Sequence, residues 1–93
     1  MIRHLKDREA KKIWEGTVSR KLNGDIQAVS RRKLRMLNNS RRLEDLRVPP
    51  ANRLEALKGS RKGQHSIRIN DQWRICFVWH DGNVDAVEIV DYH

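Results

Sequence analysis

The sequence contains little cysteine and no long apolar stretch. Cys76 is its only cysteine, so neither an intramolecular disulfide nor a cysteine-based metal cluster can form. The longest apolar run, Ile75–Trp79, is far too short to cross a bilayer. The N-terminal residues also lack the apolar stretch of a signal peptide. We therefore expect a soluble protein in a reducing compartment, the cytoplasm.

Most sequence signatures of enzymatic sites are missing as well. The chain has no glycine-rich phosphate loop before a helix, no G-x-S-x-G and no H-E-x-x-H. The histidines at positions 4, 65, 80 and 93 are not spaced as metal ligands, and Glu88 with Asp91 is a thin basis for a carboxylate metal site. Nucleotide loops, zinc sites and Ser-His-Asp chemistry are therefore disfavoured.

What the chain does contain is positive charge, and that charge is unevenly placed. Twenty Lys and Arg against 12 Asp and Glu give a net charge of +8. Residues 1–63 carry a balance of +11, whereas residues 64–93 carry one of −3. Such a distribution favours a polyanionic partner, with nucleic acid the first choice. A basic surface that is merely solvated explains the composition equally well.

Turn residues and hydrophobic spacing predict two helices followed by antiparallel strands. Asp7 is a plausible N-cap for the first helix and Asp25 for the second. Asp81-Gly82 is typical of a two-residue β-hairpin turn. The predicted elements are a short strand over Met1–Leu5, helices over Arg8–Glu15 and from Asp25 to Asn38–Ser40, a helical turn over Arg41–Arg47, and strands over Arg53–Leu57, His65–Asn70, Trp73–His80 and Val84–Tyr92.

This order of elements predicts an α+β fold in which a small antiparallel sheet packs against two N-terminal helices. The length suits a single domain, residues 1–93, with one thin core. The second helix has an apolar stripe and a basic stripe, and the basic one is either a solvated surface or a nucleic-acid contact. Ile26, Val29, Met36 and Leu37 form the apolar stripe with Leu34 at its margin, and Arg31, Arg32 and Arg35 lie opposite.

Arg68 and Arg74 are the only basic residues after position 63, and both lie within apolar strands. An arginine in a half-buried strand is costly unless it is paired or functional. A two-residue loop between the strands would place the two on opposite faces, and a three-residue loop on the same face. A structural role, as an ion pair with a carboxylate such as Glu88 or Asp91, and a functional role both remain open.

The chain ends in Asp91-Tyr92-His93, which supplies a carboxylate, a phenol and an imidazole. The predicted last strand runs into this tripeptide. A neutral histidine can take up a proton near pH 7, and its protonated form can return one. In a regular strand Asp91 and His93 share a face, whereas Tyr92 points to the other.

Four sequence blocks resemble the HigB group of the RelE toxin superfamily, the toxins of type II toxin–antitoxin systems. The specific part of the resemblance is residues 53–93, and the first 50 residues match only in pattern. The blocks occur in the family's order and spacing: Leu54–Gly59, Gly63–Asn70, Gln72–Phe77 and the terminal Asp91–His93.

The resemblance implies a RelE-like fold and ribosome-dependent cleavage of mRNA, without a metal or other cofactor. The ribose 2′-OH would attack the adjacent phosphate. The family's catalytic residues fall on Arg74, Asp91, Tyr92 and His93, and Glu55 occupies a position where some members have histidine.

Such a cleavage needs a base, a cation for the pentavalent phosphate and an acid for the 5′-oxygen. Arg74 suits the cation and His93 suits proton transfer, with Asp91 as its orienting group or as the base. Tyr92 suits stacking on a nucleobase. The predicted RNA-binding residues are the family's loop lysine, Lys58, together with Arg61, Lys62, Arg68, Arg31 and Arg35.

The resemblance also implies partners. It implies a helix-turn-helix antitoxin (HigA-like), an expected toxin–antitoxin heterotetramer, action on mRNA in the 70S ribosome, and operator DNA bound only through the antitoxin. A membrane is not among the expected partners. The alternative hypothesis is a non-catalytic basic RNA- or DNA-binding module, or a co-repressor subunit.

Overall fold

A computed structural model describes residues 1–91 of the chain; Tyr92 and His93, two of the predicted catalytic residues, lie outside the described residues. The predicted α+β class is confirmed. In chain order the structure has α1 (Arg8–Trp14), α2 (Gly24–Asn39), 3₁₀ turns at Leu43–Arg47 and Pro50–Asn52, β1 (Glu55–Ala56), a 3₁₀ turn at Gly59–Arg61, β2 (His65–Arg68), β3 (Trp73–His80) and β4 (Asn83–Asp91).

Within residues 1–91 the strands form one antiparallel sheet in the order β1-β2-β3-β4. The predicted Asp81-Gly82 hairpin joins β3 to β4, and both residues have positive φ angles, 48° and 81°. Two positive φ angles are what a type I′ turn requires, and this turn matches the twist of the flanking strands. The sequence signal for this hairpin is therefore confirmed.

The N-terminal segment only partly matches its predicted strand. Ile2 and Leu5 form isolated parallel bridges with Val84 and Val87 of β4. Four backbone hydrogen bonds of 2.8 to 3.1 Å support these bridges, among them Lys6 N–H to the Val87 carbonyl at 2.8 Å. The segment thus covers part of the outer edge of β4 and protects it from pairing with other chains.

The helix caps confirm one prediction and correct another. Asp7 caps α1, since its side chain accepts a hydrogen bond from the backbone of Glu9 at 3.3 Å. The N-cap of α2 is Asn23, not Asp25 as predicted, because the Asn23 side chain accepts from the backbone of Ile26 at 3.0 Å. Asp25 lies in the first turn instead, where its carboxylate interacts favourably with the positive end of the helix dipole.

The helices pack on one face of the sheet, which we call the core face. It carries Ile67, Ile75, Phe77 and Ile89, which belong to one buried cluster with residues of both helices. Leu34, predicted at the margin of the α2 stripe, is fully buried. Val29 and Met36, predicted inside the stripe, are only half-buried, so the packed side of α2 is rotated from the predicted one.

Two predicted strands are shorter in the structure. Arg53 adopts a left-handed conformation with φ 45°, which ends the 3₁₀ turn before it and delays β1 until Glu55. At the end of β2 the backbone N–H groups of Ile69 and Asn70 both donate to the Trp73 carbonyl, at 2.9 and 3.2 Å. Residues 69–72 therefore form the connection to β3 instead of extending the strand.

A β-bulge interrupts the pairing of β3 and β4. Cys76 pairs with Glu88 but Val78 pairs with Asp85, so Phe77 alone faces two residues of β4. One of those two, Ala86, has a φ of 50°. A bulge of this kind bends the strand and resets which side chains point to each face.

Among residues 1–91, the structure contains no helix with the length and apolar character needed to span a membrane.

The packed side of α2 also buries a lysine. Lys33 is 6% exposed and its ammonium donates to the side-chain oxygen of the fully buried Asn52. Burial lowers the pKa of Lys33 below its usual 10.5, and the positive charges of Arg32 and Arg68 lower it further. Asn52 in turn donates to the backbone carbonyl of Leu46 at 3.1 Å. The hydrogen bond between Lys33 and Asn52 therefore links the 3₁₀ turn Pro50–Asn52 to α2.

This burial predicts a pH-dependent stability. Between the lowered pKa of Lys33 and 10.5, the unfolded chain binds more protons than the folded chain, so folding stability rises with pH there. We expect the free energy of unfolding of the wild type to increase with pH relative to that of Lys33→Met, which cannot titrate. Urea unfolding of both proteins at several pH values measures this difference. A difference that does not change with pH would contradict the prediction.

Candidate functional site

The face of the sheet opposite the helices carries the polar residues, and we call it the polar face. In the strand register, Glu55 pairs with Ser66, Ser66 with Cys76, and Cys76 with Glu88. Directly paired residues point to the same side of a sheet, so these side chains form one row across all the strands. The next row contains Arg68 and Arg74, which are direct partners.

This pairing decides between the two arrangements that the sequence left open. Arg68 and Arg74 share the polar face. Arg74 is buried, at 9% exposure, and its Nη2 donates to the Arg53 carbonyl at 2.7 Å and lies 3.5 Å from the Glu55 carboxylate. The carboxylate described beside Arg74 is therefore Glu55, which was not among the examples of ion-pair partners taken from the sequence. Arg68 forms its ion pair with Asp71.

Glu88 organises a second group of charges on the same face. Its carboxylate accepts a hydrogen bond from Arg61 Nη1 at 2.6 Å and lies 3.6 Å from the Lys6 ammonium. Arg61 also donates to the Gln64 side chain at 3.0 Å. The 3₁₀ turn Gly59–Arg61 brings the arginine over the sheet, and Glu88 fixes the direction of its guanidinium.

A groove lies between these charges and the edge strand β1. It measures about 360 Å³ and is lined by Glu55, Ala56, Leu57, Lys58 and Arg61. Lys58 is exposed, so its ammonium can reach a ligand in the groove. We call this feature the basic groove. It combines one carboxylate with two cations, and the guanidinium of Arg74 lies at its Glu55 side.

Cys76 lies beneath this group and is fully buried. Burial raises the pKa of its thiol, an effect larger than those of the nearby Arg61, Glu88 and Arg74 charges. A buried thiol with a raised pKa is a poor nucleophile. Cys76 is therefore a small buried residue of the sheet and not a candidate nucleophile.

The strand register places Asp91 and Arg74 on opposite faces of the sheet. Asp91 pairs with Trp73, whereas Arg74 pairs with Val90, so Asp91 points toward the core face and Arg74 toward the polar face. The Asp91 carboxylate accepts a hydrogen bond from the Gln72 side chain at 3.2 Å. Tyr92 and His93, the other two residues of the terminal group, lie outside the described residues.

The remaining residues with a predicted RNA-binding role do not line the basic groove. Lys62 and Arg35 are exposed. Arg31, expected on the outer side of α2, is half-buried and its Nε donates to the Ile13 carbonyl in the last turn of α1 at 3.3 Å. A guanidinium in that position interacts favourably with the negative, C-terminal end of the α1 helix dipole. Arg31 therefore links α2 to α1.

Two groups that position the side chains of the site were not predicted from the sequence. Glu88 was noted only as an ion-pair or metal-ligand possibility, and the Arg53 carbonyl, which holds Arg74, has no side-chain signal at all. The polar alternation of β4 hints at Glu88, because it is a charged residue between apolar neighbours in a strand. Within residues 1–91, no cluster of three or more histidine, cysteine or carboxylate side chains is arranged to hold a metal ion.

Comparison with known families places the chain. The family model described as "RelE-like toxin of type II toxin-antitoxin system HigB" matches residues 3–93. The chain belongs to the HigB-like toxin family. Its similarity to individual HigB-like sequences agrees: it is 39% identical over 83 residues to Toxin HigB-1 of Vibrio cholerae, covering 88% of this chain and 87% of that protein. A protein of Haemophilus influenzae is 32% identical over 83 residues, covering 88% and 82%.

Solved structures support the RelE-like fold of this HigB-like chain. A mutant of YafQ from Escherichia coli superposes with a TM-score of 0.69 at 14% identity, covering 98% of this chain and 91% of that one. A chain of the heterotetrameric YoeB–YefM toxin–antitoxin complex of Staphylococcus aureus superposes with a TM-score of 0.63 at 17% identity, covering 100% and 95%. At such identities the likeness concerns the fold alone.

Proposed function

We propose that this HigB-like toxin is a ribosome-dependent mRNA endoribonuclease that inhibits translation and growth. The observation that carries the proposal is the position of Arg74: a nearly buried guanidinium, held by the Arg53 carbonyl and beside Glu55, at a groove lined by further cations. A fixed cation beside a carboxylate suits phosphodiester cleavage, in which negative charge develops on the phosphate.

In the proposed reaction the 2′-oxygen of a ribose forms a bond to the adjacent phosphorus, and the bond from phosphorus to the 5′-oxygen breaks. A base takes the 2′-OH proton and an acid gives a proton to the departing 5′-oxygen. The products are a 2′,3′-cyclic phosphate and a free 5′-OH. The protein needs to supply only proton transfer and charge stabilisation, so the proposed reaction uses no metal.

The residues divide these tasks as follows. Arg74 stabilises the pentavalent phosphate by charge-assisted hydrogen bonds. Glu55, 3.5 Å from Arg74 Nη2 and half-exposed, has the position and charge of a base. His93 is the proposed acid and Tyr92 the proposed stacking residue. Because Asp91 points away from the Arg74 side of the sheet, its proposed task is to orient the residues that follow it.

Binding of RNA is assigned to Lys58, Arg61 and Lys62 near the basic groove. Lys58 and Arg61 line the groove and Lys62 is exposed next to it. Arg68 and Arg35 are assigned to more distant phosphates of the message or of ribosomal RNA. The proposed partners are the 70S ribosome with its mRNA, and a helix-turn-helix antitoxin that inhibits the toxin in a heterotetramer and carries the pair to operator DNA.

The test is to map RNA ends in a translating extract with wild-type protein and with His93→Ala. We expect the wild type to produce new 5′-OH ends within messages, and the variant to lose roughly 10²- to 10⁴-fold in cleavage rate, the usual contribution of a general acid. His80→Ala is the matched control, since His80 is 74% exposed at the tip of the β3–β4 hairpin and should leave cleavage unchanged.

Two results would contradict the proposal. If wild-type protein produces no new ends, the chain is not a nuclease under these conditions and the non-catalytic RNA- or DNA-binding module becomes the better hypothesis. If His93→Ala cleaves as fast as the wild type, His93 is not the acid.

A further inference from the structure

A second cavity among the described residues is separate from the basic groove. It measures about 590 Å³ and opens at the outer edge of β4, where the N-terminal segment leaves the sheet. Lys6, Arg8 and Lys21 line one side, and Trp73 and Asp91 line the other. Its volume falls within the range of about 300–1,000 Å³ that is usual for small-molecule sites. We call it the edge cavity.

The carboxylates of the edge cavity already have partners. Asp7 accepts hydrogen bonds from the backbone N–H groups of Glu9 at 3.3 Å and Ile89 at 3.2 Å. Glu88 is occupied by Arg61 at 2.6 Å and Lys6 at 3.6 Å. Asp91, the third carboxylate of the cavity, accepts a hydrogen bond from the Gln72 side chain at 3.2 Å. Each of the three carboxylates is therefore held by a group other than Arg8 or Lys21.

Two of the cations have no such partner. Arg8 and Lys21 are exposed, and neither forms an ion pair with any residue of the described range 1–91. They come from the start of α1 and from the segment before α2, and they meet at this cavity. Because no carboxylate of this range pairs with them, both groups can donate charge-assisted hydrogen bonds to an anionic ligand.

An aromatic wall completes the cavity. Trp73 is half-buried: its side chain packs partly against the core, and it also lines the cavity. An indole presents a flat apolar face on which a nucleobase can stack, and this kind of contact accepts every base. A flat aromatic face beside two free cations matches a ligand that is planar at one end and anionic at the other.

We propose that the edge cavity binds a nucleotide, with the base against Trp73 and the phosphate between Arg8 and Lys21. The nucleotide is either one residue of a single-stranded RNA or a free mononucleotide, since the two share this chemistry. The site is distinct from the basic groove, and its occupancy is measured by binding, independently of whether the protein cleaves RNA.

The test follows the indole N–H signal of Trp73 by NMR in the full chain, identified from the signal missing in Trp73→Phe. Adenosine monophosphate and a tetranucleotide of RNA are titrated separately at fixed salt. We expect the Trp73 signal to shift with at least one ligand. A tetranucleotide that binds at least about tenfold more tightly than the mononucleotide indicates an RNA site, and equal affinities indicate a free nucleotide.

A pair of double variants tests the cations. Arg8→Ala with Lys21→Ala should weaken binding of the better ligand about tenfold and flatten its salt dependence, because phosphate contacts set that slope. Lys11→Ala with Arg20→Ala is the matched control: both residues are exposed and outside the cavity, and the loss of net charge is the same. We expect the control to change affinity less than about threefold.

Three outcomes would overturn the proposal. The Trp73 signal could fail to shift with either ligand. Both double variants could weaken binding equally, which would reduce the effect to overall charge. A polyglutamate peptide could displace the ligand as well as RNA does, which would indicate a site for acidic protein segments. Trp73→Leu offers a further check, since it should weaken binding whereas Trp73→Phe, which keeps an aromatic face, should retain most of it.

Discussion

Arg74→Ala is expected to reduce RNA cleavage by roughly 10²- to 10³-fold, the loss usually seen when one preorganised donor to a transition-state anion is removed. Arg74 is the strand guanidinium that the structure fixes most firmly on the polar face, by its 2.7 Å hydrogen bond to the Arg53 carbonyl. A donor that is already in place needs little rearrangement when negative charge develops on the phosphate, so little free energy is spent on reorganisation. The measurement is the rate of appearance of new RNA ends in a translating extract.

Folding can be separated from chemistry in this variant. The partner of Arg74, Glu55, is 50% exposed, so this ion pair contributes only about 0–1 kcal/mol to stability. Loss of the hydrogen bond to the Arg53 carbonyl costs about a further 1–3 kcal/mol, which is less than the usual stability of a domain, about 5–15 kcal/mol. We therefore expect Arg74→Ala to fold, as thermal unfolding would show. A variant that folds and still cleaves within about threefold of the wild type would sink the assignment of Arg74.

Two companion variants sharpen the result. Arg74→Lys keeps the charge but loses the planar fork, so it cannot hold the Arg53 carbonyl and a phosphate together as the guanidinium can. We expect an intermediate loss of cleavage. Arg68→Ala removes the direct cross-strand neighbour on the same face, and since Arg68 is assigned to binding, it should weaken RNA affinity more than it slows the cleavage of bound RNA.

Local signals in the sequence predicted the elements whose interactions are local. Asp7 caps α1 through the next residue but one, and Asp81-Gly82 closes its hairpin through its own backbone angles. In both cases the interacting groups are adjacent in the chain, so no knowledge of the rest of the fold was needed. The α+β class followed from the order of such elements.

The partners of Arg74 could not be predicted, because they depend on strand register. The pairing of Glu55 with Ser66 sets which carboxylate comes near Arg74, and that pairing depends on the conformation of the basic loop between β1 and β2. The left-handed Arg53 has no sequence signal, because arginine is not a residue that favours positive φ. The sequence around Ala86 likewise contains no local signal that predicts the bulge.

The register also sets the face on which Asp91, the one described residue of the terminal group, lies. Regular alternation predicted that Asp91 and His93 share a face, and the structure shows that the face of Asp91 is that of Trp73 and not that of Arg74. The candidate site is thus divided: the basic groove with Arg74 lies on the polar face, and the last described residue faces the edge cavity. Which tasks belong to the terminal group is what the His93→Ala experiment measures.

Phe77→Ala is expected to destabilise the fold by about 3–5 kcal/mol, the usual cost of truncating a buried aromatic ring. Phe77 is fully buried on the core face, and its ring lies 6.2 Å from that of His65 on the neighbouring strand. Domains have a total stability of only about 5–15 kcal/mol, so this variant should unfold at much lower urea concentration. Urea unfolding followed by circular dichroism measures the change.

The position of Phe77 links this loss to the site. It is the residue of β3 that faces two residues of β4 at the bulge, so its packing holds the register that places Arg74 and Glu88 on the polar face. Phe77→Leu, which fills most of the space, should cost much less, about 1 kcal/mol, and should keep cleavage. A loss below about 1 kcal/mol for Phe77→Ala would show that the bulge is held by its backbone hydrogen bonds and not by this ring.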